Sequence, residues 1–213
     1  GIPSFGTDAL RLTFASLASG SRDINFDVKR VEGYRNFCNK LWNASRFIKL
    51  QCKGYKKSKK FSDDPIDKWI RSEFNKSLES YVDHIDNSRF DLATQVLYEF
   101  IWEKLCDWYI EFCKIRLNDQ SISNVEKAQI KNSLLDIFEK TLKLAHPMMP
   151  FITEEIWQSF KETFKAKEKS IMISELPTKY LGTSNLKNIE FLRSVISGTV
   201  SYTHLRAHET EQH

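Results

Sequence analysis

Glycine and proline are scarce in this chain, and apolar residues recur at helical spacing along almost all of it. The 213 residues include 7 glycines and 5 prolines. Apolar residues spaced three and four apart fall on one face of an α-helix. No internal repeat and no strand–glycine–helix unit interrupts this pattern. The sequence therefore predicts an all-α protein, built as an antiparallel helical bundle.

Five main helices are predicted, separated by glycine, proline and polar residues. They span about residues 7–19, 27–50, 64–86, 89–117 and 124–145. A turn through Pro147 and Pro150 leads to a shorter helix, and a final helix is predicted at about 185–196. A short extended segment is predicted near 170–173. We expect a bundle domain over residues 1–165 and a C-terminal extension, with a short strand and a helix, over residues 166–198.

Charge and hydropathy narrow the class of protein. The chain has 32 basic and 28 acidic residues, a formal net charge of +4, with 41% hydrophobic residues. This mild balance excludes a polybasic tail protein but leaves room for a local basic surface, as a structured RNA binder needs. No run approaches the roughly 18 apolar residues of a membrane helix, and no leader opens the chain. We therefore expect no membrane partner and a cytoplasmic location.

Two residue patterns could suggest metal sites. The cysteines at positions 38, 52, 106 and 113 form no CxxC pair, so Cys106 and Cys113 are interpreted as buried reduced thiols. A row of carboxylates follows the fourth helix without the Glu-x-x-His motif of a di-iron site. We interpret the row as a solvated face paired with Lys104 and Lys114, and we predict no metal site. The row comprises Glu99, Glu103, Asp107 and Glu111.

The second helix separates into two faces when it is turned by about 100° per residue. The predicted buried stripe comprises Val31, Tyr34, Cys38, Leu41, Trp42, Ser45 and Ile48. The opposite side carries Lys29, Gly33, Asn36, Lys40, Asn43 and Phe47, and a neighbouring strip carries Arg35, Asn39 and Arg46.

Phe47 is unusual because this pattern places its ring among cationic and amide side chains, opposite the buried stripe. An aromatic ring can stack on an unpaired base, ammonium groups can meet phosphate, and amides can read base edges. The alternative is that Phe47 packs under a neighbouring loop or helix, as single surface aromatics often do. The pattern alone leaves both interpretations open.

Several blocks of sequence resemble the valyl-tRNA synthetase family of class I synthetases. The anticodon-helix block runs from Arg22 to Phe47 and includes KRVEGYRNFCNKLWNASRF, and the fourth-helix block is FDLATQVLYEFIWEKLCDWYIEFCK. GTDALR near the start resembles the sequence that follows the KMSKS loop in class I synthetases. LAHPMMPFITEEIW resembles a helical-bundle motif that several class I synthetases share. Together the blocks cover roughly residues 6 to 198. The alternatives are the equivalent domain of another class I synthetase, such as that for isoleucine, and a helical protein-interaction module.

The resemblance implies the anticodon-binding portion of a valine–tRNA ligase. In the NKLWNASRF block, Lys40 and Phe47 match positions that contact bases and phosphate, and Lys29 occupies a position where relatives can carry arginine. Asn36, Asn43 and Arg46 complete the candidate RNA-binding set. The implied partners are a tRNA with a valine-type anticodon and the catalytic domain of the same protein.

The HIGH, KMSKS and editing segments are not found in these 213 residues, so the chain alone is expected to be non-catalytic and to hold no cofactor. ATP and magnesium are expected for the parent enzyme.

Two further segments lie outside the sequence blocks that carry the resemblance. Residues 53–60 contain five lysines, which we interpret as a solvated loop rather than a contact to the anticodon stem. The sequence of residues 199–213 departs from that of the family and resembles the translation of a cloning or sequencing adaptor, so we interpret it as a non-native tail.

Overall fold

A computed structural model describes residues 4–20, 25–58 and 60–182, and these ranges contain helices and no strand. The all-α prediction is therefore confirmed, and the five main helices lie close to their predicted ranges. The α-helices are α1 Thr7–Leu17, α2 Val28–Gln51, α3 Pro65–Asp86, α4 Phe90–Glu99, α5 Ile110–Asn118, α6 Asn124–Ala145 and α7 Pro150–Phe164.

The predicted fourth helix is continuous but not uniform. A π-helical segment, Phe100–Tyr109, joins α4 to α5, and the three together are called the long helix below. The end of the π segment and α5 meet α3 at a buried carboxylate: the Tyr109 hydroxyl donates to Asp67, and Arg116 donates to the same carboxylate at 2.8 Å. Because Asp67 is fully buried, these two donors satisfy a charge that would otherwise be costly.

Polar side chains define where the helices begin. The Asp64 carboxylate accepts from the Ile66 N–H at 2.8 Å, with Pro65 in the first turn of α3. Ser123 and Glu126 form a reciprocal capping box at the start of α6. Asp27 accepts from the Lys29 N–H at 2.9 Å and caps α2. These local contacts explain why the starts of the helices could be predicted from sequence.

Hydrogen bonds join the start of α1 to the turn between α6 and α7 and to the first turn of α7. The buried Asp8 carboxylate accepts from the backbone N–H groups of Phe151, at 3.3 Å, and Ile152, at 2.7 Å. It thereby supplies the cap that Met149, the residue preceding α7, does not provide. Arg11 donates to the Pro147 carbonyl at 3.0 Å. One end of the bundle is thus fixed by contacts between distant residues.

The core is apolar and rich in large rings. Its largest fully buried side chains include Phe37, Trp69, Phe74, Phe100, Tyr109 and Trp157. The four cysteines are free thiols, and Cys106 and Cys113 are buried as predicted. Burial raises the pKa of the Cys106 thiol to about 12 and raises that of Cys113 further. These thiols therefore stay protonated at neutral pH and pack as apolar residues.

Over the described residues, no group of His, Cys, Asp and Glu side chains is arranged to hold a metal ion. Nor does any helix in the described part of the chain combine the length and apolar character that crossing a bilayer requires.

The extended segment predicted near residues 170–173 is wrong, because Ile171–Ile173 form a turn of 3₁₀-helix. The Glu154 carboxylate of α7 accepts from the Ser170 hydroxyl at 2.7 Å and from the Ile171 N–H at 3.1 Å, which curls the backbone. Beyond it, the Tyr180 hydroxyl donates to Asp136 of α6 at 2.7 Å, so residues 166–182 pack along the bundle. The predicted helix at 185–196 and the tail at 199–213 lie outside the described residues.

Candidate nucleic-acid interface

The structure corrects the orientation of α2. Val31, Leu41, Ser45 and Ile48 are buried as predicted, and Tyr34 and Cys38 are partly buried, but Trp42 is 40% exposed. Phe37 and Ala44, which lie outside the predicted stripe, are buried. The buried stripe is therefore turned by about 45° from its predicted position at ~100° per residue.

The reason for this rotation is the aromatic surface of the long helix. The Phe37 ring stacks on Tyr98 at 5.0 Å and lies nearly parallel to Trp102 at 6.4 Å between centroids. Because Phe37 packs on this aromatic surface, the side of α2 that carries Phe37 is buried and Trp42 lies at the edge of the buried stripe, partly exposed. Periodicity within α2 could not indicate which neighbouring helix it packs against.

The rotation produces an exposed line of polar side chains, which we call the amide ridge. It comprises Asn36, Asn39, Asn43 and Arg46, and all four residues are exposed. Their spacing of three and four residues places them on one side of α2. Lys29, also exposed, lies near the start of the same helix. The candidate residues Lys29, Asn36, Asn43 and Arg46 therefore have the exposure that a binding role needs.

Lys40 lies beside the ridge, in the seam where α2 meets the long helix, and it is less exposed than predicted. Its ammonium forms an ion pair with Asp107 and lies 4.0 Å from the centroid of the Trp102 ring. The side chain is 26% exposed. Lys40 is therefore held in place by a carboxylate and an aromatic face while still reaching solvent.

Phe47 lies seven residues farther along the same seam. It is half-buried and packs against the core, so its predicted place opposite the buried stripe is wrong. Its stacking on an RNA base stays a prediction. The Lys114 ammonium lies 4.9 Å from the centroid of the ring, and Lys114 also donates to Glu111 at 2.6 Å. The ring therefore contacts both the core and a cation, and keeps a solvent-accessible part.

At the other end of the seam lies an open cavity of about 550 Å³. Helices α1, α2 and α4 and the π segment contribute its lining, which includes Arg30, Gly33, Tyr34, Gln95, Tyr98 and Glu103. Glu103 is four residues before Asp107, so the cavity lies about one turn of helix from the Lys40–Asp107 pair. The seam thus runs from an open cavity, past that pair, to Phe47.

The sequence did not indicate that Asp107, Trp102 and Lys114 face α2. The carboxylate row was predicted to pair with Lys104 and Lys114, and the Glu111–Lys114 pair is present. Lys104 instead pairs with Glu73 of α3 at 3.2 Å, and Asp107 pairs with Lys40. The Lys40–Asp107 contact joins residues 67 positions apart, so nothing in local spacing indicates it.

The interpretation of residues 53–60 as a solvated loop is wrong for its central part. The Lys57 ammonium contacts the Asp136 and Glu139 carboxylates at 2.8 and 2.6 Å. Burial lowers the pKa of Lys57, but the two carboxylates outweigh burial and raise it above its ordinary value. The buried Asn132 side chain accepts from the Ser58 N–H at 2.6 Å. This loop is therefore fastened to α6, although Lys53, Lys56 and Lys60 remain exposed.

His146 follows the last residue of α6 and packs against the start of α7. Its Nδ1 lies 2.8 Å from the Thr153 hydroxyl, and burial lowers the pKa of the imidazole. The Thr153 hydroxyl also donates to the Met149 carbonyl at 2.6 Å. These contacts give His146 a packing role where α6 meets α7.

Comparisons with known proteins agree with this architecture. The family model described as the anticodon-binding domain of tRNA ligase matches residues 67–202. Valine–tRNA ligase of Psychrobacter arcticus is 48% identical over 186 residues, covering 83% of this chain and 19% of that protein. Valine–tRNA ligase of Buchnera aphidicola (subsp. Acyrthosiphon pisum) is 50% identical over 180 residues, covering 83% of this chain and 19% of that protein. Valine–tRNA ligase of Coxiella burnetii is 44% identical over 202 residues, covering 92% of this chain and 22% of that protein.

The chain thus spans about a fifth of the length of these relatives. Among solved structures, LeuRS of Agrobacterium radiobacter K84, in a ternary complex with tRNA and LeuAMS, matches with a TM-score of 0.58. The match covers 82% of this chain and 20% of that one, at 13% sequence identity. At that identity the likeness describes the fold.

Proposed function

Since the chain belongs to the family of anticodon-binding domains of tRNA ligases, we propose that it recognises the anticodon arm of a valine tRNA within a valine–tRNA ligase. The observation that carries the proposal is the amide ridge on α2, beside a seam that holds Lys40 and Phe47. Sequence-specific RNA recognition reads unpaired bases through stacking and hydrogen bonds, and an anticodon loop presents such bases.

The ridge offers the groups that this recognition requires. Each asparagine amide has a donor and an acceptor, so Asn36 and Asn43 can bond to base edges. The Arg46 guanidinium and the Lys29 ammonium are suited to phosphates, which position RNA without reading its sequence. In this proposal the amides contribute specificity, and the two cations contribute affinity.

The seam supplies the remaining contacts. Phe47 presents part of an aromatic ring on which a splayed base can stack, and Lys114 completes a cationic margin around it. Lys40 presents its ammonium from a fixed position next to Asp107. The half-burial of both residues supports the proposal, because contacts held by the core lose less freedom when RNA binds.

Catalysis belongs, in this proposal, to the part of the ligase outside this chain. The whole enzyme would join valine to its tRNA in the cytoplasm, using ATP and magnesium bound by its catalytic domain. This chain would contribute by binding and orienting the tRNA. We accordingly expect no valine-dependent ATP–pyrophosphate exchange from the chain alone.

Binding of this chain to anticodon stem-loops tests the proposal. Three RNAs with one common stem would carry valine-type, isoleucine-type and alanine-type anticodons, with affinity measured by fluorescence anisotropy at fixed salt. We expect the valine-type loop to bind at least about tenfold more tightly, the usual order for one misread base. Equal affinity for all three loops would refute valine-anticodon recognition by this chain.

A further inference from the structure

We propose that Asp107 is a specificity-determining residue, and that the Lys40–Asp107 pair reads the edge of one amino base, adenine or cytosine. This inference rests on the proposed function and goes beyond it. It names a carboxylate on the long helix and a class of base that it selects.

Both partners of the ion pair keep unused hydrogen-bonding capacity. The Lys40 ammonium has three N–H donors, and a carboxylate has about four acceptor positions. Their mutual contact occupies one donor and one acceptor position. The side chains are 26% and 45% exposed, so the remaining capacity can reach a ligand. Together they present a donor beside an acceptor, within one hydrogen-bonded unit.

The pair is held on a rigid support. The Lys40 ammonium lies 4.0 Å from the centroid of the Trp102 ring. Trp102 stacks on Tyr98 at 5.4 Å with 14° between the ring planes, and Tyr98 stacks on the buried Phe37 at 5.0 Å. An ammonium fixed by a ring and a carboxylate has little freedom left to lose on binding. This is the arrangement expected of a site that discriminates between bases.

Electrostatics argue against a phosphate as the ligand of this pair. The Asp107 carboxylate repels an approaching phosphate and already occupies the Lys40 ammonium. A carboxylate on an RNA-binding face is useful where it accepts a hydrogen bond from a base, as acidic side chains do from the amino group of cytosine. Base reading therefore accounts for both members of the pair, whereas phosphate binding would use Lys40 alone.

The order of donor and acceptor decides which bases fit. The pairing edges of adenine and cytosine both present an exocyclic amine followed by an unprotonated ring nitrogen. Those of guanine and uracil present a carbonyl oxygen followed by a ring N–H, which is the reverse order. When the strand direction fixes the base, Asp107 can accept from the amine while Lys40 donates to the ring nitrogen. The reversed order places like groups opposite each other.

The valine anticodon contains this class of base at both of its invariant positions, which are adenine and cytosine. The isoleucine-type anticodon replaces the cytosine by uracil, and the alanine-type anticodon replaces the adenine by guanine. Each of these near-cognate loops therefore exchanges an amino base for a keto base. A pair that distinguishes the order of donor and acceptor on the base edge would therefore bind less tightly to the loop in which the base it contacts has been exchanged.

The test compares Asp107→Asn, Asp107→Glu and Glu103→Gln with the unmodified chain, using the three stem-loops described above. Asp107→Asn replaces an acceptor by an amide that can donate, so the preference for the valine-type loop over one near-cognate loop should fall about tenfold. Asp107→Glu keeps the carboxylate and should retain a preference. Glu103→Gln removes a charge one turn away and should leave the preference unchanged. Thermal unfolding of each variant checks that the exposed substitutions leave the fold intact.

The outcomes separate this inference from the proposed function. If Asp107→Asn changes affinity for all three loops by the same factor, Asp107 acts through charge alone and the inference is overturned. If Glu103→Gln lowers the preference as much as Asp107→Asn, the effect is not specific to the pair, and the inference again fails. If the unmodified chain shows no preference, the proposed function itself fails.

Discussion

The Phe47 ring has two kinds of contact, because it packs against the core and also faces the Lys114 ammonium. Phe47→Leu keeps an apolar side chain in the core contact but removes the stacking surface. We expect it to cost about 1 kcal/mol of folding free energy. Affinity for the valine-type stem-loop should fall by about 1–3 kcal/mol, the usual loss of one stacked base. Chemical denaturation and anisotropy measure the two effects separately.

The matched comparison is Phe47→Tyr, which retains a stacking ring at the same position. It should bind RNA within about threefold of the unmodified chain, a difference of less than 1 kcal/mol. If Phe47→Leu binds the stem-loop as tightly as Phe47→Tyr does, stacking on Phe47 is not part of recognition and the ring serves packing alone.

Leu41 and Trp42 are adjacent in sequence but lie in opposite environments. Leu41 is fully buried and Trp42 is 40% exposed. Leu41→Ala should cost about 2–5 kcal/mol of folding free energy as a core truncation, and Trp42→Ala should cost clearly less. Urea denaturation of both variants measures the difference. A larger loss for Trp42→Ala would mean that α2 has the rotation first predicted from its periodicity.

At the scale of elements, Glu73 couples α3 to the long helix through a pH-sensitive contact. Its carboxylate bonds to Lys76 at 2.7 Å and to Lys104 at 3.2 Å. Burial raises the pKa of Glu73, but the hydrogen bond from Lys76 and the charge of Lys104 outweigh it and hold the pKa below its ordinary value. A carboxyl whose folded pKa is lowered stabilises the fold above its unfolded pKa.

The stabilisation by Glu73 should therefore be complete above about pH 4.5 and be lost as the pH falls through the lowered folded pKa. Glu73→Gln should cost about 1–3 kcal/mol at pH 7, since it breaks a largely buried, charge-assisted contact. The difference from the unmodified chain should shrink as the pH falls below 4.5. Urea denaturation across pH 3 to 7 measures it. A penalty that is constant over this range would show that the charge of Glu73 does not stabilise this contact.

The elements themselves were largely predictable, because their signals are local. Capping side chains such as Asp64 and Ser123 and the break at Pro147 lie next to the helix ends they determine. The rotation of α2 and the 3₁₀ turn at Ile171–Ile173 were not predictable. The first depends on the aromatic surface of the long helix, and the second depends on the distant Glu154 carboxylate. Each is set by a contact that sequence periodicity does not contain.

At the scale of the whole molecule, long-range polar contacts hold the helices around the candidate site. Asp8 caps α7 from α1, and Lys57 ties its loop to α6 through two carboxylates. The family resemblance indicated Lys40 and Phe47 as candidates, and both lie in the seam between α2 and the long helix. It did not indicate Asp107 or Trp102, because those residues join the site only when the long helix packs on α2.

A charge-matched pair of variants tests whether the amide ridge of α2 faces the RNA. Arg46→Ala removes a cation from the ridge, and Lys68→Ala removes a cation from α3, which packs on the long helix and α6. Affinity for the valine-type stem-loop would be measured by anisotropy over a series of salt concentrations. We expect Arg46→Ala to weaken binding several-fold and to lower the salt slope by about 0.7–1, the effect of one lost phosphate contact. Lys68→Ala should change neither the affinity nor the slope. Equal losses in both variants, or no loss in Arg46→Ala, would contradict an RNA-facing ridge.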